Sequence, residues 1–389
     1  MPTRLTRLTS RLLVYVSMAE LVAALYVVTT GLSLYHARLM FEAVLPTFIA
    51  GVAVAYASSS LKGASRASRA LEALASIMGW AVAATGLMAS LGGPRVPLGV
   101  SLVVFGSLLA SLTAYALRKW DVRLSVAMLG YTQALAGVVL LGAPWLSLFP
   151  LALVFVIVEA IGAIYSVTLH SFPSTFGDVP SKALTGLVFA LVSAAVPAAL
   201  LRDLWLSNVL LGDSMLISVL AFRGDRLRSY YAKARASSSP IARGGTLYFL
   251  YGHVFAFSAL IVAGIVLIAS AALRLNPLIL VHMMTLGAIS LFVLIHAPMM
   301  LPVMMGWSSA RRYNLTPYVS QAAAAVLWPF NMHVSFFFVG LAFVFDALIV
   351  LPSREPMPMS LGFSAPLAST PYLLRSCESL VSSLAASAG

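Results

Sequence analysis

The sequence predicts an all-α fold, a polytopic transmembrane helical bundle, and three observations support this prediction. Hydrophobic residues make up 61% of the 389 residues and charged residues only 9%, whereas soluble domains carry about 25% charged residues. Apolar runs long enough to cross about 30 Å of hydrocarbon recur along the chain. Lys and Arg are unequally distributed between alternate loops. Together these features indicate an integral membrane protein.

Each apolar run is expected to form one membrane-spanning helix, because a helix rises 1.5 Å per residue and about 20 residues cross the hydrocarbon core. Trp328-Pro329-Phe330-Asn331 interrupts the last run, which is too long for one straight crossing. Proline within a helix kinks or splits it, so a separate helix over 318–328 would raise the count from eleven to twelve. The eleven runs are 12–34, 38–57, 70–91, 97–117, 124–143, 146–170, 181–201, 204–222, 246–273, 277–305 and 318–351.

The distribution of basic residues predicts the orientation of the bundle. Loops on the side of the N-terminus hold eighteen Lys and Arg residues, whereas the opposite loops hold only Arg38, Arg95, Arg202 and Arg274. Cytoplasmic loops carry the excess of Lys and Arg in membrane proteins. The N-terminus and the loop 223–245 are therefore expected in the cytoplasm, and the net charge of +12 reflects topology rather than binding of nucleic acid.

Other features limit the range of functions. The first apolar run lacks a small-residue cleavage site and is too long for a signal peptide, so an uncleaved helix is expected. Cys377 is the only cysteine, which excludes an internal disulfide and a multi-thiolate metal site. Residues 1–351 are expected to form one helical bundle, and the Ser- and Pro-rich segment 352–389 a poorly ordered tail. Compactness and composition favour the cytoplasmic membrane of a prokaryote.

Ionisable side chains inside apolar runs are the first candidates for function, because a charge at the bilayer centre costs at least about 2.5–3.5 kcal/mol. Glu20 and Glu159 lie midway along their runs and are candidate proton-relay acids. Asp213 also lies midway along its run, while Glu42 and Asp346 are expected nearer the outer boundary. The alternative for each is a protonated acid or a hydrogen bond between helices.

The histidines form a clearer pattern. In "LVHMMTLGAISLFVLIHAPMMLP", His282 and His296 lie fourteen residues apart. In a uniform α-helix this spacing spans about 21 Å and leaves about 40° between the side chains. The two imidazoles are therefore expected on one face, His282 in the outer part and His296 in the inner part. His253 and His333 are expected at the depth of His296, and the pattern favours haem iron, for which imidazole is an axial ligand.

The His-x13-His spacing resembles that in the four-helix core of bis-haem b-type cytochromes. The resemblance implies that His282 ligates an outer haem b and His296 an inner one. The partner of His296 would be His253 or His333, and the partner of His282 would be His36 or a methionine. The second helix that carries another such pair in those cytochromes is absent here.

The bundle also resembles the haem-copper oxidase catalytic subunit and NnrS-type membrane proteins. The run "HMMTLGAISLFVLIHAPMMLPVMMG" is similar to their His-x-x-Thr-Leu-Gly run ending in Leu-Pro, and Glu159 followed by Tyr165, Pro173 and Gly177 resembles the sixth helix of the oxidases. The resemblance implies haem, and less strongly copper, in a respiratory or nitrogen-oxide-related electron-transfer system with quinol or other redox subunits as partners. Adjacent histidines, His-Pro-Glu and His-x-His are lacking, so oxygen reduction at a binuclear centre is not predicted.

Two other functions stay open. In a proton-coupled secondary transporter, Glu20, Glu159 and the histidines would relay protons. The helix break at Pro329, followed by Asn331 and His333, favours this alternative because broken helices line substrate sites in transporters. The third alternative is a non-catalytic membrane anchor or assembly subunit of a redox complex. Hydrolase, kinase and iron-sulfur functions have no supporting motif.

Overall fold

Helices make up most of the residues that the computed structural model of the chain describes, which are 4–60, 66–111, 122–142, 147–176, 180–236, 240–273, 275–305 and 313–350. These ranges contain no β-strand, so the all-α prediction is confirmed. Ten of the helices are long and apolar enough to cross a membrane, as expected for a multi-pass membrane protein. The predicted tail, with Cys377, lies outside the described residues.

The helices follow the predicted apolar runs, except α9 (Leu227–Ala236), which lies in the predicted loop 223–245. Two of them, α2 and α11, are continuous but contain a π-helical segment between two α-helical parts. In chain order the helices are α1 (Arg4–Thr29), α2 (Ser33–Arg38, Leu39–Val44 and Leu45–Ser60), α3 (Arg66–Ser90), α4 (Val96–Ser111), α5 (Val122–Gly142), α6 (Leu148–Phe176), α7 (Lys182–Leu200), α8 (Leu204–Ala221), α9 (Leu227–Ala236), α10 (Pro240–Leu273), α11 (Pro277–His282, Met283–Ile289 and Ser290–Met305), α12 (Thr316–Leu327) and α13 (Met332–Val350).

The last apolar run is two helices, as the proline suggests. Helix α12 ends at Leu327, a turn comes next, and α13 begins at Met332. The Ser335 hydroxyl donates a hydrogen bond to the Ala324 carbonyl at 2.8 Å, so the two helices form an antiparallel hairpin. Asp346 therefore lies at the end of the hairpin opposite to the turn. With the predicted orientation this is the cytoplasmic end, and the expectation that Asp346 lies near the outer boundary is wrong because the turn reverses the chain.

The chain forms two compact units, one comprising residues 1–169 and 193–207 and the other residues 170–192 and 208–389. In the first unit, α1 packs along α2, where the Ser10 hydroxyl donates to the Gly51 carbonyl at 2.8 Å. Leu13 and Val14 contact the same glycine. A small residue at this crossing lets the two backbones approach closely, as is common between membrane helices.

A second close crossing in the first unit joins α4 and α5. Gly99 faces Gly137, and Gly106 faces Gly130, so that backbone atoms of one helix lie where a Cβ of the other would be. From the first pair to the second, the residue number rises along α4 by as much as it falls along α5, as it does in antiparallel helices. Glycines seven residues apart on each helix thus form one seam.

In the second unit, α10 to α13 enclose an aromatic core. Phe222 lies between Phe257 and Phe292, at ring-centroid distances of 6.3 and 6.4 Å. Phe222 and Tyr318 are fully buried. This core surrounds a pair of buried histidines on α10 and α11.

Candidate functional site

Two buried histidines meet in the second unit. His253 of α10 is 0% exposed and His296 of α11 is 3% exposed, and their ring centroids are 5.7 Å apart with the ring planes at 83°. From the sequence, the partner of His296 could be either His253 or His333. His253 is the histidine that the fold brings to His296.

The hydrogen bonds of the two rings determine their tautomers. Nδ1 of His253 lies 2.7 Å from the Phe249 carbonyl, and Nδ1 of His296 lies 2.8 Å from the Phe292 carbonyl. A carbonyl can only accept, so each Nδ1 donates, and in a neutral imidazole the lone pair is then on Nε2. Histidines that bind metals commonly donate their second ring nitrogen to a carbonyl in this way.

The surroundings of the pair are aromatic. The Phe249 ring lies 4.3 Å from His253 and 5.4 Å from His296, and the Phe292 ring lies 6.0 and 6.3 Å from them. In the described ranges no group of three or more His, Cys, Asp or Glu side chains is arranged to hold a metal ion. The pair therefore supplies at most two protein ligands of these types from the described part of the chain.

A polar cluster lies close to the pair along the same helices. The Tyr248 hydroxyl has two acceptors within reach of its one hydrogen, the Leu294 carbonyl at 3.1 Å and Asp346 Oδ1 at 3.4 Å. The Tyr318 ring lies 4.6 Å from the Tyr248 ring. Sequence reasoning missed this cluster. Its two hydrogen-bonded side chains are 98 residues apart, and only the reversal at the α12–α13 turn brings them together.

His282 has different surroundings from His296. Its half-buried ring stacks on Trp328, with centroids 3.9 Å apart and planes at 14°, and its Nδ1 donates to the Leu278 carbonyl at 2.9 Å. The π-helical segment Met283–Ile289 lies between the two histidines. A π-turn holds about one residue more than an α-turn and so rotates the rest of the helix by about 100°. The prediction of one shared helix face is therefore wrong.

His333 is exposed in the first turn of α13. The hairpin turn that precedes it is the one that carries Trp328, which stacks on His282. His333 thus lies at the hairpin end opposite to Asp346 and Tyr248. The expectation that His333 lies at the depth of His296 is therefore wrong, because the α12–α13 turn reverses the chain.

The two candidate proton-relay acids lie in the first unit, each beside one polar neighbour. Glu159 and Gln133 are both 0% exposed, and the Gln133 side chain lies within interaction distance of the Glu159 carboxyl. Glu20, also buried, has Thr47 as its polar neighbour. None of the four carboxyl oxygens makes a hydrogen bond of normal geometry with the described residues. Buried polar atoms in this state are unusual in folded proteins.

Comparison with known proteins gives no match for this chain among protein-family models, curated proteins or solved structures. The resemblances to b-type cytochromes and to oxidase or NnrS-type proteins therefore stay predictions. The geometry of the histidine pair and of the buried acids carries the functional argument.

Proposed function

We propose that the chain is an integral component of an electron-transfer system in the cytoplasmic membrane, and that His253 and His296 bind its metal centre. One observation carries the proposal. Two buried imidazoles on neighbouring helices lie 5.7 Å apart, and each donates its Nδ1 hydrogen to a carbonyl of its own helix. Nε2 is then the nitrogen with which each ring would bind a metal.

Haem b is the cofactor expected from the sequence, and Phe249 limits how the pair accepts it. A porphyrin extends from its iron in the plane between the two axial ligands. The Phe249 ring lies closer to each imidazole, at 4.3 and 5.4 Å, than the imidazoles lie to one another, so it occupies part of that plane. A haem with both imidazoles as axial ligands does not fit beside Phe249. Haem iron bound by one of the two is the form that the arrangement favours.

A metal ion without a porphyrin needs only the space between the two rings. Imidazole suits copper, iron, nickel and zinc. Burying an ion becomes far more expensive as its charge rises, and Phe249, Phe257 and Phe292 leave the surroundings of the pair apolar. Among these ions copper(I), with a charge of only +1, is therefore the first candidate. It comes before haem because the Phe249 ring lies against both imidazoles, where a porphyrin bound by both would extend, which reverses their order from sequence alone.

Metal and haem contents of the purified protein test the proposal. Protein in neutral detergent is loaded with copper(I) under reducing conditions, or with haem, and the bound amounts are measured after desalting. We expect one equivalent of copper, lost in His253→Ala and in His296→Ala. His282→Ala and His333→Ala are the matched controls and should keep it. Equal binding by wild type and by the His253→Ala/His296→Ala double variant would disprove the assignment.

The haem loading distinguishes the two metal centres. Retention of haem with a Soret band that shifts in His253→Ala or His296→Ala would make haem the centre. Binding of neither copper nor haem would remove the electron-transfer proposal.

Proton-coupled transport is the second candidate function, favoured by the buried carboxyls. Glu20 and Glu159 make no hydrogen bonds of normal geometry within the described ranges, and such acids at membrane depth are typical of proton relays. In proteoliposomes with an internal pH-sensitive dye, this candidate predicts proton flux that Glu159→Gln abolishes. A non-catalytic anchor or assembly subunit, the third alternative, can carry haem without turning over substrate and predicts no proton flux.

A further inference from the structure

Two arginines and one glutamate converge at one end of the first unit. Arg95, in the connection between α3 and α4, donates from Nε to Glu42 Oε1 at 2.5 Å, and the Glu42 side chain is 1% exposed. Arg38 precedes Glu42 by four residues on α2, and its charge also acts on Glu42. The set therefore carries two guanidinium charges and one carboxylate.

The backbone brings both arginines to the same connection. Arg38 Nη1 lies 3.5 Å from the position that a Cβ of Gly92 would take, and Gly92 has a φ of +99°, which favours glycine. Arg95 lies three residues further along. The π-helical segment Leu39–Val44 separates Arg38 from most of α2, and such segments are frequent at functional sites.

The single Glu42 carboxylate does not neutralise both Arg38 and Arg95. Arg95 forms an ion pair with Glu42. Arg38 Nε is buried and donates to no described atom, and Glu42 Oε2 likewise has no hydrogen bond there. The arrangement is thus not a closed Arg-Glu-Arg bridge, and one guanidinium charge with a buried donor is left for another anion. Guanidinium groups bind phosphate oxygens strongly and directionally.

The surface around the two arginines is apolar and exposed. Leu34 lies one turn before Arg38 and is 49% exposed; Leu91 and Val96 flank the α3–α4 connection and are 67% and 55% exposed. The distribution of Lys and Arg predicts this end to face the outer boundary of the membrane. Exposed apolar side chains at this position suit the acyl chains of a lipid, which free phosphate lacks.

We propose that Arg38 and Arg95 bind the phosphate of an anionic phospholipid headgroup, while Leu34, Leu91 and Val96 contact its acyl chains. The two arginines supply the affinity for phosphate. The three exposed apolar side chains make the site prefer a lipid to the free ion. Glu42 restrains Arg95 and so lowers the affinity of the site for the anion.

Lipid retention tests the proposal in the full-length protein. Protein in neutral detergent is titrated with phosphatidylglycerol, phosphatidylcholine or inorganic phosphate, and bound lipid is counted by native mass spectrometry while thermal unfolding is followed in parallel. We expect saturable retention of phosphatidylglycerol, weakened about tenfold in Arg38→Gln, as for the loss of a charge-assisted hydrogen bond. Arg202→Gln, the same change at an exposed arginine of the first unit, should leave retention unchanged.

Glu42→Gln separates a binding site from a structural ion pair. It frees Arg95, so we expect tighter retention of phosphatidylglycerol, whereas a purely structural ion pair predicts unchanged retention and a lower unfolding temperature. Stabilisation by inorganic phosphate equal to that by phosphatidylglycerol would overturn the lipid assignment and leave a phosphate site. Equal retention of phosphatidylcholine and phosphatidylglycerol, or no effect of Arg38→Gln, would overturn the site altogether.

Discussion

The imidazole of His282 lies flat against the indole of Trp328, with ring centroids 3.9 Å apart and planes at 14°. This contact joins α11 to the turn between α12 and α13 and occupies one face of the His282 ring. Stacked aromatic pairs contribute about 0.5–1.5 kcal/mol beyond the burial of their surface. The stacked pair therefore stabilises the packing of the α12–α13 turn against α11.

The first prediction concerns the stack of His282 on Trp328. Trp328→Ala is expected to lower the free energy of unfolding by about 2 kcal/mol, because the half-buried indole loses both the stack and its apolar burial. Phe330→Ala in the same turn is the control, since Phe330 is 83% exposed and its loss should change stability little. Thermal unfolding in detergent measures both. Metal content should stay at the wild-type level in Trp328→Ala, and its loss would place His282 in the metal site.

The second prediction concerns the choice between copper and haem. If Phe249 is what keeps a porphyrin from entering between His253 and His296, then Phe249→Ala should raise haem retention while both histidines stay in place. Phe257→Ala is the matched control, because this ring lies 5.5 Å from His253 and truncating it does not empty the space beside Phe249. Haem titration followed by the Soret band measures the difference. Equal haem binding by the two variants would remove the steric role of Phe249.

Sequence periodicity predicted the helices well because hydrophobic length is a local property. Every predicted apolar run corresponds to a helix, and Pro329 marked the one division correctly. Periodicity could not reveal Met283–Ile289 as a π-helix, since those residues are as compatible with an α-helix. One additional residue in a turn was enough to move His282 away from the face of His296.

The candidate site was only partly predictable for a related reason. His253 and His296 were both candidates on the basis of depth, and the structure brings them together. Depth estimates for His333 and Asp346 were reversed because they assumed one long helix through Pro329. Phe249, whose ring lies against both imidazoles, carries no sequence signal, since an aromatic residue in an apolar run is ordinary.

The third prediction concerns Glu159. Its two carboxyl oxygens are buried without hydrogen bonds to described residues, so a neutral amide of the same shape should be tolerated or favoured. Glu159→Gln is expected to raise the free energy of unfolding by about 1 kcal/mol, because an ionisable group that is buried without full pairing is destabilising. Thermal unfolding in detergent measures the change.

Glu72 provides the matched control for Glu159. It is equally a buried glutamate of the first unit, but it accepts a hydrogen bond from the Thr6 hydroxyl at 3.1 Å. Glu72→Gln keeps an oxygen that accepts this hydrogen bond but removes the charge that strengthens it, so it should lower stability while Glu159→Gln raises it. A loss of stability of the same size in both variants would mean that Glu159 has partners as good as those of Glu72.

The fourth prediction concerns the glycine seam between α4 and α5. A Cβ on Gly106 would lie 2.4 Å from the Gly130 carbonyl oxygen and from the Ala134 amide nitrogen, and backbone atoms cannot move aside as a flexible side chain can. Gly106→Ala is therefore expected to lower the free energy of unfolding by at least about 2 kcal/mol, as for an overpacked core. The same change at Gly186 of α7 meets nothing within 4 Å and should stabilise the protein by about 0.5–1 kcal/mol, because alanine is the better helix former. Thermal unfolding of the two variants, measured side by side, tests this prediction. If Gly106→Ala were tolerated as well as Gly186→Ala, the backbones of α4 and α5 would not be in close contact.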